Sequence, residues 1–153
     1  MTWDDDEVVA AITRYVAVRE RIEAGEATWI DLATMFTDDA VYIDPAWGRV
    51  EGIAEIRGFL VDSMVGFEDW RFPIDFVAHD GDHVAVKWRE VLPSGHCHSG
   101  WSHLRYAGDG KFDYQEDVLN MAHVVGDMKA LGWRPPEGFH FPPAEPNRDF
   151  TLP

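Results

Sequence analysis

Three carboxylates fall where strand alternation turns them toward apolar neighbours. Asp44 closes the short apolar run Ala40–Asp44, which Pro45 cuts off. In the run His83–Leu92, Val84, Val86 and Trp88 share one side, while Lys87 and Arg89 take the other. Glu90 therefore belongs to the apolar side. Carrying the register of Ser102, Leu104 and Tyr106 through the hairpin at Gly108-Asp109-Gly110 puts Gln115, Asp117 and Leu119 on the same inner face. Carboxylates that converge in a dry pocket cannot all ionise, so one of Asp44, Glu90 and Asp117 keeps a proton, giving an acid and a base. Desolvation moves Asp44 toward the range of a general base. Each group also has a plainer reading. Asp44 can simply end a strand as an Asp-Pro turn, and Glu90 and Asp117 can sit solvated at an open rim.

The aromatic residues suit an apolar ligand. Trp47, Phe59, Trp70, Trp88 and Trp101 can line a pocket, or serve as ordinary core. The parity that turns Ser102 inward leaves Trp101 outward. His96-Cys97-His98 places two imidazoles at i and i+2, on one face if the segment is a strand. No second ligand pair follows at a matching spacing, so no metal is expected. Glycine-rich phosphate loops and a nucleophile elbow are missing from the sequence, and no cofactor is expected.

The elements that hold these groups can be read from periodicity. Acids Asp4–Glu7 suit a helix N-terminus, Val8, Ile12, Tyr15, Val16 and Ile22 recur at helical spacing, and Gly25 stops the helix. Thr28 caps a second helix with Trp29, Leu32 and Phe36 inward, ending near Thr37-Asp38-Asp39. The strand 40–44 and a short partner near 47–50 precede a third helix marked by Ile53, Ile56, Leu60 and Met64. Strands then run over 71–78, 83–92, 98–106 and 111–119, with a short helix over 120–131. Residues 1–132 read as one α+β domain. The Pro-rich tail 133–153 reads as extended chain packed on the body or on a partner subunit.

The chain has 153 residues and a formal net charge of −15, which disfavours nucleic acid and anionic lipid as partners. Its single cysteine, Cys97, cannot form an internal disulfide. The acidic start lacks the basic, apolar pattern of a secretion signal, and no apolar run is of membrane-spanning length, so a cytoplasmic location is expected.

The segment Arg14-Tyr15-Val16-Ala17, the run Met35–Pro45 and the later Glu55-Ile56-Arg57-Gly58-Phe59 resemble the first half of ketosteroid isomerases and SnoaL-like polyketide cyclases. Gly100–Tyr106, the Gly-Asp-Gly hairpin and the strand after it resemble the second half. These families belong to the nuclear transport factor 2-like superfamily. The resemblance implies a cone-shaped barrel, a strongly curved mixed or antiparallel sheet wrapped by three N-terminal helices, around a pocket for a small apolar ligand. It implies a homodimer through the outer face of the sheet, which an outward Trp101 would suit. In the resemblance, Asp44 matches the general-base aspartate and Tyr15 the oxyanion-hole tyrosine of ketosteroid isomerase, an enzyme whose second donor is a protonated aspartic acid. That position is Ser102 here.

Three functions are consistent with these residues. The first is cofactor-independent acid–base chemistry on an apolar carbonyl compound, steroid- or polyketide-like, through an enolate, as isomerase, cyclase or dehydratase. Asp44, Tyr15, Asp117 and Glu90 would be catalytic, with Trp47, Phe59, Trp88, Ser102, Leu104 and Leu119 against the substrate. The second is a non-catalytic binding or assembly module. The third is an epoxide hydrolase like the limonene epoxide hydrolases, whose Asp-Arg-Asp set lacks an evident inward arginine here, since Arg89 and Arg105 take the outer parity.

Overall fold

In the computed structural model, which describes residues 2–153, each element follows a local cause. Helix α1, Asp5–Glu23, starts at Asp4, whose carboxylate accepts from the Asp6 N–H at 2.9 Å, and three acids fill its first turn. Its buried positions are Val8, Ala11, Tyr15 and Arg19, one stripe at helical spacing. The second helix, Trp29–Met35, is a 3-10 turn series, with the Thr28 N–H bonded to the Asp31 carboxylate at 2.9 Å. Three residues per turn bring Met35 under Leu32, so Phe36 is released to open the first strand.

Strand β1 runs Phe36–Asp44, four residues longer at its start than the apolar run suggests, because Thr37-Asp38-Asp39 continue the strand rather than stop a helix. It pairs antiparallel with β2, Gly48–Glu51, and helix α2, Ile53–Asp62, follows. Strands β3 (Ile74–Asp80), β4 (His83–Val91), β5 (Cys97–Gly108) and β6 (Lys111–Leu119) form an antiparallel meander. Arg71, expected to begin β3, makes only an isolated bridge to Val91. Helix α3, Met121–Ala130, is capped by Asn120.

The sheet order is β2-β1-β6-β5-β4-β3, with β1 and β6 parallel. Its edges, β2 and β3, do not meet, so it is an open mixed sheet and not a closed barrel. The expected three N-terminal helices also need correcting. Only α1 and the 3-10 helix precede the first strand, and α2 enters after the β1–β2 hairpin. The core lies between these helices and the inner face, where Tyr15, Leu32, Phe36, Ile56, Leu104 and Phe112 pack.

The tail folds back on its own chain. Phe139 packs against Phe67 and Trp133, which stack at 5.3 Å. Farther on, the Arg49 N–H donates to the Asn147 carbonyl at 2.9 Å, and the Arg49 guanidinium donates to the carbonyls of Asp149 and Thr151. The Tyr114 hydroxyl donates to the Phe150 carbonyl, and Arg105 donates to Pro153. Arg49 is the cross-strand partner of Ile43, and Tyr114 is the partner of Val41 and of Arg105. The last residues therefore lie on the outer face of the sheet, over the buried cluster Val41, Ile43 and Tyr114. Beside that strip, Phe76, Trp101 and Val118 remain exposed, with Trp101 outward and 42% accessible.

Candidate functional site

A cavity of about 330 Å³ opens between the inner face, α2, α3 and the tail. Its wall is mostly aromatic and aliphatic, including Trp47, Phe59, Trp88 and Leu119, and it carries Arg19, Asp44, Glu90 and Asp117. The tail contributes Phe139, His140, Phe141 and Pro142 to the same wall.

Asp44 is both a turn and a cavity group. Its Oδ2 accepts the Ala46 and Trp47 backbone N–H groups at 2.8 and 2.9 Å, which fixes the corner after Pro45. Its other oxygen makes no bond to the protein. Burial pushes its pKa up to about 6, the nearby Asp117 adds to this, and the two backbone bonds oppose it.

Asp117 sits deeper. Its Oδ1 accepts from Ser102 at 2.5 Å and from the Gln115 amide at 2.8 Å, and its Oδ2 accepts from the Tyr42 hydroxyl at 2.5 Å. Burial raises its pKa against those bonds and against the positive charge of Arg19. The Gln115 amide also donates to the Tyr42 hydroxyl, and its carbonyl oxygen accepts from Tyr15 at 3.0 Å. Ser102 accepts from the Trp88 indole at 2.9 Å.

Glu90 lines the same cavity, and burial lifts its pKa to about 7. It meets His98 at 3.1 Å. His98 is 5% exposed and points into the protein, whereas His96 precedes β5, is exposed and pairs with Ser94. The i and i+2 imidazoles thus do not share a strand face.

The structure brings Asp44, Glu90 and Asp117 together with Trp47, Phe59, Trp88 and Leu119 on one cavity. Tyr15, Ser102 and Leu104 are buried but absent from its wall. Tyr15 touches the site through Gln115 and through Arg19, which donates to its hydroxyl at 3.3 Å. The sequence reading of no inward arginine is overturned by Arg19. Its guanidinium donates to the Phe72 carbonyl at 2.9 Å and packs over Trp29, and its buried Nε has no partner. The signal for it was present, because position 19 continues the Val8, Ala11 and Tyr15 stripe by one turn. Tyr42 also escaped notice. Ala40–Ile43 is buried on both faces, so alternation marks no inner side in β1.

The chain matches the model of the SnoaL-like domain over residues 12–112. No curated protein sequence matches it. Solved structures share the fold at low identity. One described as a SnoaL-like polyketide cyclase from Jannaschia sp. CCS1 is 20% identical, with a TM-score of 0.64 over 88% of this chain and 99% of that one. A protein with a ketosteroid isomerase-like fold from Catenulispora acidiphila DSM 44928, in complex with trimethylamine, is 22% identical, with a TM-score of 0.63 over 79% of this chain and 97% of that one. TerC, crystallised with polyporic acid, is 18% identical, with a TM-score of 0.62 over 80% and 98%. With two thirds of its length matched by that one model, this chain belongs to the SnoaL-like domain family.

Proposed function

We propose that this protein is a cofactor-independent acid–base enzyme acting on a small, largely apolar carbonyl compound, steroid- or polyketide-like, through an enolate. The observation that carries this reading is Asp44, a half-buried carboxylate with one oxygen unbonded on an apolar cavity wall. Its raised pKa, about 6, suits a base that works near neutral pH. Asp44 takes a proton alpha to the ligand carbonyl. Arg19, the arginine of the cavity wall, faces the negative charge that develops on oxygen, and Tyr15 fixes the guanidinium from behind. Asp117 is held by its three donors, Tyr42, Ser102 and Gln115. Glu90, which lines the same cavity, returns a proton. Isomerisation, cyclisation and dehydration all use this enolate step.

A second reading gains support from Arg19. An arginine with Asp44 and Asp117 on the same wall is the residue set that activates water in an epoxide hydrolase. One structural neighbour, SalBIII, is described as an epoxide hydrolase/cyclase-like enzyme in pyran ring formation, at 18% identity and a TM-score of 0.58.

The test is a titration with 2-naphthol, an enolate mimic, followed by the emission of the cavity tryptophans Trp29, Trp47, Trp70 and Trp88. Wild type is expected to bind with a pH dependence near 6 that Asp44→Asn abolishes. Binding that Asp44→Asn leaves unchanged in strength and in pH profile would assign the cavity to a plain binding module.

A further inference from the structure

The imidazole of His98 is held between two carboxylates. Nδ1 lies 3.1 Å from Glu90 Oε1, and Nε2 lies 2.7 Å from Asp127 Oδ2. The three groups come from β4, β5 and α3. Their exposure is graded along the chain. Glu90 faces the cavity, His98 has a side chain 4% accessible, and the Asp127 side chain is 35% accessible at the surface. The acid–base roles of Asp44 and Glu90 involve neither His98 nor Asp127.

Proton counting makes this arrangement informative. A neutral imidazole has one N–H and cannot donate to carboxylates on both nitrogens. With both carboxylates ionised and the ring neutral, one of the two contacts would set lone pair against lone pair. Both short contacts are satisfied only when the trio holds one additional proton. That proton has three places: on Asp127 with the ring as Nδ1–H, on the ring as imidazolium, or on Glu90 with the ring as Nε2–H. Passing from the first place to the last breaks the Asp127 O–H and the Nδ1–H and makes the Nε2–H and the Glu90 O–H. One proton equivalent then moves from the surface carboxylate to the cavity carboxylate, with no change of oxidation state and no side chain displaced.

We propose that Glu90, His98 and Asp127 form a proton relay between the cavity and bulk solvent. The proposal rests on reading the cavity as a proton-transfer site. An enclosed base that takes a proton from a ligand must lose it before the next turnover, and an enclosed acid must regain one. Glu90 is itself 6% exposed, so a built path from it to the surface serves both. Glu90 Oε2 makes no bond to the protein and is left for the ligand, while Oε1 faces the ring. The other charged or titratable groups on the cavity with Glu90 are Asp44 from β1, which raises its pKa, and Arg19, Tyr42, Asp117 and His140 elsewhere in its lining. Asp127 and Glu90 face His98 from its two sides. Asp127 and His98 are positioning and relaying residues, since neither lines the cavity.

The deciding experiment follows the Glu90 carboxyl by ¹³C NMR in protein labelled at glutamate, with its signal assigned by its loss in Glu90→Gln. In wild type the midpoint is expected near 7. His98 supports the Glu90 carboxylate, so His98→Gln should move the midpoint upward by about one unit. Asp127→Asn touches neither Glu90 nor the cavity, yet it leaves the ring with one carboxylate fewer and should also move the midpoint upward by about half a unit. Asp127→Glu should bring it back toward wild type. An unmoved Glu90 midpoint in Asp127→Asn overturns the relay, and this arm alone decides if His98→Gln does not fold. Adding 2-naphthol separates the relay from the function it serves. If the variants shift Glu90 but bound or excess 2-naphthol does not, the three groups are coupled and the proton-transfer reading of the cavity fails, and with it the cavity end of the relay.

Discussion

The Arg19 guanidinium donates to the Tyr15 hydroxyl at 3.3 Å, one helical turn along α1, and it is Arg19, not Tyr15, that reaches the cavity wall. The phenol expected to meet a ligand oxygen instead backs the cation on the cavity wall. Burial raises the Tyr15 pKa against the charge of Arg19, so the hydroxyl stays protonated and donates to Gln115.

The two residues should therefore respond unequally. Arg19→Met removes a charge-assisted donor and should weaken 2-naphthol binding by roughly tenfold or more. Tyr15→Phe leaves the guanidinium in the wall and should change binding by no more than about threefold, while lowering stability by about 1 kcal/mol as the Gln115 carbonyl loses its donor. Fluorescence titration and urea unfolding separate the two effects. A larger binding loss in Tyr15→Phe than in Arg19→Met would return the ligand contact to the phenol.

Asp44 makes a signed prediction for stability. Its pKa rises from 3.8 to about 6 on folding, so the native state binds more protons than the unfolded chain between these values. Stability therefore falls as pH climbs from about 4 to 6, the reverse of a salt-bridged carboxylate. Glu90, raised from 4.5 to about 7, acts with the same sign up to about 7. Asp44→Asn keeps an oxygen for the Ala46 and Trp47 amides, so it should raise stability at pH 8 by up to about 3 kcal/mol. It should change little at pH 4. Urea denaturation at the two pH values checks it.

Gly100 is required by the ring beside it. A Cβ at this position would stand 2.5 Å from Trp88 Cε3 and Cζ3. Gly100→Ala should cost about 1–3 kcal/mol and push Trp88 off the Ser102 hydroxyl. The Trp88 indole N–H signal in a ¹H–¹⁵N spectrum, shifted in Gly100→Ala and at its wild-type position in Ser99→Ala, reports this.

The tail is seated at Gly48, which has φ +76° and would place a Cβ 2.6 Å from the Asn147 carbonyl. Gly48→Ala adds both backbone strain and this clash, and should lift residues after Pro146 from the outer face. Faster proteolysis of the tail and increased dye binding at Val41, Ile43 and Tyr114 are the expected outcomes. Equal proteolysis in both proteins would mean that the tail is held elsewhere.

The tail also narrows where a homodimer could form. Phe76 and Trp101 pack edge to face at 5.7 Å, and Val118 is the cross-strand partner of Trp101, on the part of the outer face that the tail leaves open. If this patch joins two copies, Trp101→Glu should convert a dimer to a monomer in sedimentation equilibrium with the fold unchanged by circular dichroism.

The sequence alone determined the elements and the inward side of the later strands. Alternation in β4 and β5, carried to the far half of β6, places Glu90 and Asp117 inward, although a register shift near Tyr106 turns Phe112 inward as well. The helical stripe of α1 already held Arg19, but an arginine at a core position is legible only once its partners are known. The 3-10 geometry of Trp29–Met35 was not legible, because periods of 3.0 and 3.6 diverge little over two turns. Nor did local pattern place Tyr42, since both faces of β1 are covered, one by the helices and the other by chain more than a hundred residues away. Tertiary structure alone decided that Arg19 lines the cavity and Tyr15 does not, that the tail supplies part of the cavity wall and crosses the outer face, and that Asp127 meets His98. Each of these depends on distances between elements remote in sequence, and a one-dimensional period carries no information about them.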